Sequence, residues 1–399
     1  MRTHCRVCGT ALQSVLELGD FALCGTFPMA NEIVPVEPLG LSWCKWCSLV
    51  QMSYDYKHDF YGPGYGYRSS LNASMVKHLR ELANEAALRV GLQASDVVLD
   101  IGGNDGTLLN SIKPLCTKLL MDPTARQIEG RQIEDVIVLP EKFTFGSYNN
   151  AVNRKAKIVF SIAMFYDLPD PVDFARQVAK ALDKDGVWVF EQSYLPTMVA
   201  RNAYDTICHE HVEYYSLRAI RYILNLSGLE LVDVSLNDCN GGSIRVTAAH
   251  AGSCKVSLDI ERMDSQFNQD VPLRFDRLFS RMEKLREDLQ RVLCTNGRVV
   301  GFGASTKGNT LLQFCDITLP CIVDVNKDKW GRVTPGTNIP IVREDADANA
   351  YLVLPWHFRE FIVQKEAQFL SEGGSLIFPL PDVEVFTGLN KWTSVQLTG

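Results

Sequence analysis

The chain contains no run of about 18 apolar residues, the length that a membrane-spanning helix requires. Its first residues, MRTHCRVCG, lack the apolar core of a secretory signal. Basic residues are outnumbered by acidic ones, 40 to 47, so the formal net charge is −7. That balance disfavours non-specific binding to nucleic acid or to an anionic membrane. We therefore expect a cytoplasmic protein with no nucleic-acid or membrane partner.

Low-complexity tracts and short repeats are also absent. The 46% hydrophobic and 22% charged residues are typical of a globular protein and exclude disorder over the whole length. At about 150 residues per domain, 399 residues suggest two or three domains. There are 12 cysteines, but in a reducing compartment we expect thiols rather than disulfides.

Four cysteines form two Cys-x-x-Cys pairs, Cys5 with Cys8 and Cys44 with Cys47. Two such pairs can close a tetrahedral zinc site of the structural kind. Residues 1–68 are rich in glycine, proline and aromatic residues, and we predict an irregular segment that zinc stabilises. A shell of four sulfurs leaves no open position, which argues against catalytic zinc. Four ordinary buried cysteines are the alternative.

A glycine-rich turn follows a predicted strand in VVLDIGGNDGTLL. Gly102 and Gly106 allow a ligand to approach the backbone, and Asp122, which ends the next strand, can accept from ribose hydroxyls. Asn104 and Asp105 occupy the turn, where negative charge opposes the phosphates of a dinucleotide. The cationic, phosphate-free S-adenosylmethionine (SAM) is therefore favoured over NAD. A ligand-free Rossmann-like domain is the alternative.

Titratable and aromatic residues are concentrated in CHEHVEYY, which contains His209, Glu210 and His211. Such a cluster can hold a general base near neutral pH. A His-x-His metal pair lacks a third ligand at an obvious spacing. The residues alone leave open whether His211 is a base or a structural histidine, and they favour a structural role for His209.

A second strand–turn–helix pattern occurs in RVVGFGASTKGNTLLQF. Its glycines, together with Ser305, Thr306 and Lys307 at a helix start, favour a phosphate-bearing ligand. The order G-x4-G-K-[ST] of a Walker A loop is absent.

Short apolar strands alternate with helical stretches, so we predict α/β architecture with parallel, doubly wound sheets. GVWVFEQ and SIRVTAAH are expected at an antiparallel end of one sheet. Helices are predicted over about 71–91 and 270–292, the latter as a solvated linking helix or a coiled-coil surface. The domains are predicted at 1–68, 69–254 and 255–399: a small zinc-binding domain and two Rossmann-like domains.

In this combination the motifs resemble the SAM-dependent C-methyltransferases of nucleotide-linked keto-deoxysugars. The resemblance covers essentially the whole chain in order. It rests on the cysteine quartet and on DIGGNDGTLL, VFEQSYL, DTICHEHVEYYSL, NGGSIRV, GFGASTKGNTLLQFCDI, IVDVNKDKWGRVTPGTNIPI and LVLPWHF. It implies a central class I SAM methyltransferase domain and a C-terminal domain that holds the nucleotide sugar.

The resemblance also implies a reaction. A base removes the proton next to a 4-keto group of the sugar, and the enolate carbon, C-3, is methylated to give a branched-chain deoxysugar. The base maps to His211, with Glu210 and His209 in the same cluster. The resemblance assigns SAM to Gly102, Asn104, Asp105, Gly106 and Asp122, and the sugar nucleotide to Tyr67, Ser305, Thr306, Lys307 and Asn309.

The sequence departs from the family pattern at Cys208, where tyrosine is common, and at Arg68 and His357. The first two lie in motifs associated with the acceptor pocket, so they bear on the choice of sugar and of carbon. An O-methyltransferase of a sugar nucleotide and a non-catalytic zinc- and nucleotide-binding protein are the alternatives. A monomer or a dimer is expected.

Overall fold

The computed structural model describes residues 1–58, 60–61, 67–113, 115–128, 135–252, 256–343, 347–388 and 392–394. The domain boundary predicted at 254/255 lies outside them. In chain order, their strands are β1 Gln13–Ala22, β2 Val36–Trp43, β3 Val50–Met52, β4 Val97–Ile101, β5 Thr117–Met121, β6 Val136–Leu139, β7 Ala156–Ile162, β8 Leu182–Ser193, β9 Glu213–Tyr214, β10 Glu230–Asn237, β11 Ser243–Ala249, β12 Val299–Phe302, β13 Ile322–Val323, β14 Ile341–Val342, β15 Ala350–Val353, β16 Ser375–Phe378, β17 Glu384–Thr387 and β18 Trp392–Ser394. Their helices are α1 Ala73–Val90, α2 Thr107–Asn110, α3 Phe145–Val152, α4 Pro171–Ala181, α5 Leu195–Ala200, α6 Leu217–Leu226, α7 Leu258–Gln269, α8 Val271–Thr295, α9 Thr306–Phe314, α10 Arg359–Lys365 and α11 Ala367–Ser371.

The N-terminal strands form an antiparallel sheet in the order β1-β2-β3-β9. The irregular segment predicted over residues 1–68 is therefore wrong. The prediction failed because these strands do not bury their apolar residues in a core of their own. Leu16 and Leu39 belong to a buried cluster that also contains Phe275 and Leu278 of α8. Short-range periodicity cannot reveal a core whose other half lies more than 200 residues away in the sequence.

The middle sheet has the order β10-β11-β8-β7-β4-β5-β6. Strands β4 to β8 are parallel, and β11 and β10 add the antiparallel end that the sequence predicted. Strand β4 lies between β5 and β7, so the chain crosses to opposite sides of the sheet at this point. Ligands of doubly wound sheets bind outside the carboxyl ends of the strands at such a switch point.

The C-terminal sheet repeats this plan in the order β14-β13-β12-β15-β16-β17-β18. Strands β12 to β16 are parallel, and β17 and β18 are antiparallel. Strand β12 lies between β13 and β15, which creates a second switch point. The prediction of an α/β protein with two Rossmann-like sheets is confirmed.

Both helices predicted from periodicity are present. The Asn72 side chain caps the start of α1 by accepting from the backbone N–H groups of Ser74 and Met75, and Gly91 ends that helix at φ 58°. Helix α8 is continuous from Val271 to Thr295. Among the helices described, none combines the length and the apolar character needed to cross a bilayer.

Candidate active site and zinc centre

The four N-terminal cysteines converge on one point. Cys5 Sγ lies 3.6 Å from Cys47 Sγ, Cys8 Sγ lies 3.4 Å from Cys44 Sγ, and all four sulfurs are within 4.8 Å of one another. A tetrahedron with zinc–sulfur bonds of about 2.3 Å has edges of about 3.8 Å. The four sulfurs therefore fit a structural zinc ion, and the convergence that the spacing predicted is present.

The backbone repeats the same turn after each cysteine pair. The Gly9 amide donates to the Cys5 carbonyl and the Ser48 amide donates to the Cys44 carbonyl, both at 2.9 Å. Gly9 has φ 71° and Ser48 has φ 64°. Glycine adopts this left-handed conformation freely, whereas a serine there is strained and depends on the surrounding structure. The two equivalent turns aim each pair of sulfurs at the same volume.

The glycine turn after β4 leaves no room for side chains. A Cβ on Gly103 would lie 2.3 Å from Asp100 Oδ2, and one on Gly102 would lie 2.8 Å from Met164 Cγ. Asp100 Oδ2 is buried with no hydrogen-bond partner among the described residues. Burial raises the pKa of Asp100 to about 8, with the Asp122 charge adding to the shift. A cationic ligand would favour its ionised form, so this turn fits the charge of SAM.

Asp122 closes the adjacent strand and holds the turn in place. Its Oδ2 accepts from the Asn104 amide at 2.7 Å, and its Oδ1 accepts from the amide and the hydroxyl of Thr124, both at 2.6 Å. The residue is 5% exposed. Its carboxylate therefore lies at the carboxyl end of β5, beside the glycine turn.

Asn104 and Asp105 bind a second segment of the chain. Asn104 Nδ2 donates to the Tyr67 carbonyl at 3.0 Å, and Asn104 Oδ1 accepts from the Ser69 amide at 3.1 Å. Asp105 Oδ2 accepts from the Ser70 amide at 2.9 Å. These contacts anchor the segment that carries Tyr67 directly over the turn. They bring three of the residues predicted to bind ligands into one place.

His211 is held in one orientation. Its Nδ1 lies 2.8 Å from the Thr206 carbonyl oxygen, and its ring packs on that of Tyr166 with centroids 4.4 Å apart. A carbonyl oxygen only accepts, so Nδ1 donates and the neutral ring leaves Nε2 without a proton. Burial lowers the pKa of His211 to about 4, and the Lys307 charge contributes to the lowering. The imidazole is therefore neutral near pH 7.

The other two members of the motif point elsewhere. His209 is fully buried, its Nε2 lies 3.3 Å from the Glu37 carbonyl oxygen, and its ring meets Tyr56 edge-on at 4.9 Å. The Glu210 carboxyl group lies over Gly25, where a Cβ would come within 1.3 Å of Oε1. Burial raises the pKa of Glu210 to about 7. Both side chains therefore contact the N-terminal part of the chain, whereas His211 does not share these contacts.

The turn after β12 opens helix α9. Ser305 Oγ caps the helix by accepting from the Gly308 amide at 3.0 Å, and Thr306 is its half-buried first residue. Lys307 Nζ donates to the Asn240 carbonyl at 2.7 Å. Because the Lys307 charge affects the pKa of His211, the C-terminal sheet contributes a cation to the region of the histidine.

Asn309 lies apart from this group. It is fully buried, and its Nδ2 donates to the Cys24 carbonyl at 2.6 Å. One turn later, Gln313 Oε1 accepts from the Ala22 amide at 2.8 Å, and Gln313 Nε2 donates to the Ala22 carbonyl at 3.1 Å. These contacts tie α9 to the N-terminal sheet.

Sequence reasoning missed several groups around Lys307. Trp356 Nε1 donates to Asp205 Oδ2 at 2.7 Å, and Asp205 Oδ1 and His357 Nδ1 are buried without a partner among the described residues. Burial raises the pKa of Asp205 and lowers the pKa of His357; the Lys307 charge opposes the first shift and adds to the second. The departure from the family pattern at His357 was the one signal in the sequence. Tyr166, which packs on His211, gave none.

Three family models match successive segments of the chain. Residues 5–59 match "Putative zinc binding domain", residues 74–234 match "Methyltransferase domain", and residues 238–381 match "C-methyltransferase C-terminal domain". The C-methyltransferase NovU of Streptomyces niveus is 29% identical, over 96% of this chain and 97% of that protein. These matches support a SAM-dependent C-methyltransferase with a zinc-binding domain. SAM and zinc are accordingly the cofactors of this C-methyltransferase.

Solved structures resemble the C-methyltransferase over a smaller part of its length. The mitomycin 7-O-methyltransferase MmcR is 17% identical over 46% of this chain, with a TM-score of 0.35, and the match spans 56% of that chain. An S-adenosylmethionine-dependent methyltransferase from Clostridium acetobutylicum ATCC 824 is 13% identical over 44% of this chain and 92% of that chain, with a TM-score of 0.35.

Proposed function

We propose that this C-methyltransferase acts on a nucleotide-linked 4-keto-deoxysugar. It removes the proton next to the ketone and methylates the enolate carbon, C-3, so that the product is a branched-chain deoxysugar. The observation that carries the proposal is the convergence of two sheets: Lys307, from a turn suited to phosphate, lies close enough to His211 to affect its pKa. A phosphate-bearing acceptor bound at that turn would extend toward the histidine.

His211 is the proposed base. Its Nδ1 proton is committed to the Thr206 carbonyl, so Nε2 is the atom that takes the proton from carbon. Burial and Lys307 keep the imidazole neutral and ready to accept. After the transfer, the imidazolium still donates from Nδ1 to the same carbonyl, which holds the ring in position throughout the step.

Lys307 is the proposed electrostatic partner. Its ammonium group is placed by the Asn240 carbonyl, and its charge would stabilise the negative charge that develops on the acceptor when the proton leaves. Ser305 and Thr306 at the start of α9 offer a hydroxyl and backbone N–H groups to a phosphate. Asn309 was assigned to the same ligand by resemblance, but its bond to Cys24 favours a role in holding α9.

The turn after β4 is the proposed SAM site. Gly102, Gly106 and the Asn104 backbone would lie against the ligand, and Asp122 would accept from its ribose hydroxyls. When bound, SAM supplies an electrophilic methyl group. The Tyr67 segment, anchored by Asn104 and Asp105, would cover this site and exclude water from it.

Proton exchange tests the proposed function. Wild-type enzyme is incubated in deuterium oxide with a nucleoside-diphosphate-linked 4-keto-6-deoxyhexose, with thymidine or uridine as the nucleoside, and with the demethylated product of SAM. We expect deuterium at C-3 with wild type and a loss of about 100-fold or more with His211→Asn. The His250→Asn variant is the control, since His250 follows β11 at the amino end of β8, against the Leu182 carbonyl and away from the carboxyl ends of the parallel strands. Wild-type exchange by His211→Asn would refute the assignment of the base.

Three of the sequence-based predictions remain predictions. They are the domain divisions at 1–68, 69–254 and 255–399, the cytoplasmic location and the monomeric or dimeric state.

A further inference from the structure

A second cluster of reactive side chains lies beside the proposed site. His78 of α1, Glu191 of β8 and Cys239 of the short 3-10 turn Cys239–Gly241 each offer an atom within 4.8 Å of the other two. The proposed methyl-transfer mechanism uses none of them. The cluster lies next to Asn240, whose carbonyl oxygen holds Lys307.

Glu191 orients the histidine. His78 Nε2 lies 2.5 Å from Glu191 Oε1, and the Glu191 side chain is only 3% exposed. Its second oxygen accepts from Arg245 Nε at 2.8 Å and from Asn237 Nδ2 at 2.9 Å. With both oxygens engaged, the carboxylate fixes the imidazole ring beside its other neighbour, Cys239.

The charges of the cluster argue against a metal ion. Arg245 already neutralises the Glu191 carboxylate, and His78 lies on the other oxygen. Burial lowers the pKa of His78, but the hydrogen bonds with Cys239 and Glu191 outweigh it and raise the pKa to about 10. A metal cation at this position would be repelled by both the His78 imidazolium and the Arg245 guanidinium. The arrangement instead places the Cys239 thiol beside an imidazolium that a carboxylate orients, and a neighbouring cation of this kind makes a cysteine more reactive.

We propose that Cys239 is a modification site, a nucleophilic thiol that His78 and Glu191 activate toward small soft electrophiles. The His78 imidazolium donates to the sulfur, the thiol proton passes to water, and the sulfur attacks the electrophile. With iodoacetamide, a carbon–sulfur bond forms, the carbon–iodine bond breaks, and iodide leaves with the bonding electrons, while His78 keeps its own protons. Cys239 is half-buried, so a small reagent can reach it.

Modification also has a consequence for methyl transfer. An added group at Cys239 would displace the turn whose next carbonyl, on Asn240, positions Lys307. It would also crowd Tyr67, because burial raises the pKa of Tyr67 and the nearby Cys239 makes a smaller contribution in the same direction. We therefore expect alkylation to lower methyl transfer; this part rests on the proposed function, whereas the reactivity of the thiol does not.

The test is the alkylation rate of each cysteine in the intact, zinc-loaded enzyme, measured by peptide mass mapping after timed exposure to iodoacetamide at pH 7. Cys294 is the internal reference because it is exposed and has none of these neighbours. We expect Cys239 to react about tenfold faster than Cys294 or more, despite its lower exposure. A Cys239 rate equal to or below that of Cys294 would overturn the proposal, whatever the state of any variant.

Two variants on α1 separate activation from exposure. His78→Gln should bring the Cys239 rate down to that of Cys294, while Lys77→Gln, one residue away on the exposed face, should leave it unchanged. An unchanged Cys239 rate in a folded His78→Gln enzyme contradicts the proposal. So does a second zinc ion per chain that His78→Gln removes, because the cluster would then be a metal site. Failure of the exchange experiment alone would affect the proposed function and not this one.

Discussion

The Thr310 hydroxyl donates to the Ile207 carbonyl oxygen, 3.0 Å away. This bond joins helix α9 to Ile207. Ile207 lies in the chain between Thr206, whose carbonyl orients His211, and the histidine motif. The catalytic segment is therefore held from two directions, by its own chain and by α9. The proposed base and the proposed phosphate turn are parts of one rigid arrangement.

Loss of one zinc ligand should release the metal. We expect Cys44→Ser to abolish stoichiometric zinc and to reduce the free energy of unfolding by several kcal/mol, because metal binding and folding are linked. Zinc content by elemental analysis and chemical denaturation measure both effects. Cys294→Ser, at an exposed position outside the quartet, is the control and should retain one zinc per chain. Full zinc content in Cys44→Ser would show that the quartet is not the site.

Asp122→Asn should weaken SAM binding about 10- to 150-fold, since a hydrogen bond to a charged group contributes about 1.5–3 kcal/mol. Calorimetry with SAM measures the change. Asp324 offers a matched control, because its carboxylate accepts from the Ala304 and Asn326 amides at 2.7 Å in the same position of the C-terminal sheet. Asp324→Asn should leave SAM affinity unchanged. Equal losses in both variants would point to general loosening of the fold.

The protonation of His211 should depend on Lys307. We expect burial to keep the pKa of His211 at about 4 in the ligand-free enzyme, and the pKa to rise by a small part of the total shift in Lys307→Gln, because the smaller contribution of a nearby cation is removed. Titration of the histidine by NMR gives the value directly. Lys329→Gln removes a cation from the same sheet, beside Asp324, and should leave His211 unchanged. A His211 pKa near 6.5 in the wild type would contradict the buried, neutral base.

His209 should make the fold sensitive to acid. Burial lowers its pKa to about 4 in the folded protein, whereas the unfolded chain binds the proton near pH 6.5. Between these values the unfolded state carries more protons, so stability falls as the pH falls, by up to about 1.4 kcal/mol per pH unit for one group. Denaturant unfolding between pH 6.5 and 4.5 should show a shallower decline in His209→Asn. Parallel pH profiles would rule out a buried neutral His209.

Asn309 should behave as a structural residue. In Asn309→Ala the Cys24 carbonyl loses its buried donor, which should lower the free energy of unfolding by about 1–3 kcal/mol. Nucleotide-sugar affinity should change far less than in Lys307→Gln. A large loss of affinity with unchanged stability would instead return Asn309 to the ligand site. Urea unfolding and calorimetry on the same preparations distinguish the two outcomes.

Local chemistry in this chain was predictable from short stretches of sequence. The cysteine spacing predicted the convergence of four sulfurs, and the strand–glycine–helix patterns predicted two doubly wound sheets, because each Cys-x-x-Cys pair and each strand–turn–helix pattern is a continuous short stretch of sequence. The direction in which a side chain points was harder to predict from the sequence. Asn309 follows Ser305 by one helical turn, yet only the packing of α9 on the N-terminal sheet shows that it points at Cys24.

Contacts between distant segments were not predictable from one sequence. Strand β9 has two residues, too few for a period-two pattern, and its partner β3 lies about 160 residues earlier. Tyr166 and His211 meet because the 3-10 turn Phe165–Asp167, which follows β7, packs against β9, and neither local pattern indicates this contact. The sequence around Lys77 and His78 has the pattern of an ordinary amphipathic helix. The cluster forms only because β8 places Glu191 opposite His78.

Strand β9, the fourth strand of the N-terminal sheet, is synthesised long after the other three strands of that sheet. At about 5–20 residues per second, the ribosome adds β9 roughly 8 to 30 s after β3, and until then the exposed edge of β3 has no partner. Nascent chains therefore carry an open sheet edge while β4 to β8 of the first Rossmann-like sheet are synthesised. Because β9 begins two residues after His211, the step that covers this edge also positions the proposed base, so a chain that has not finished its first sheet has no organised catalytic segment.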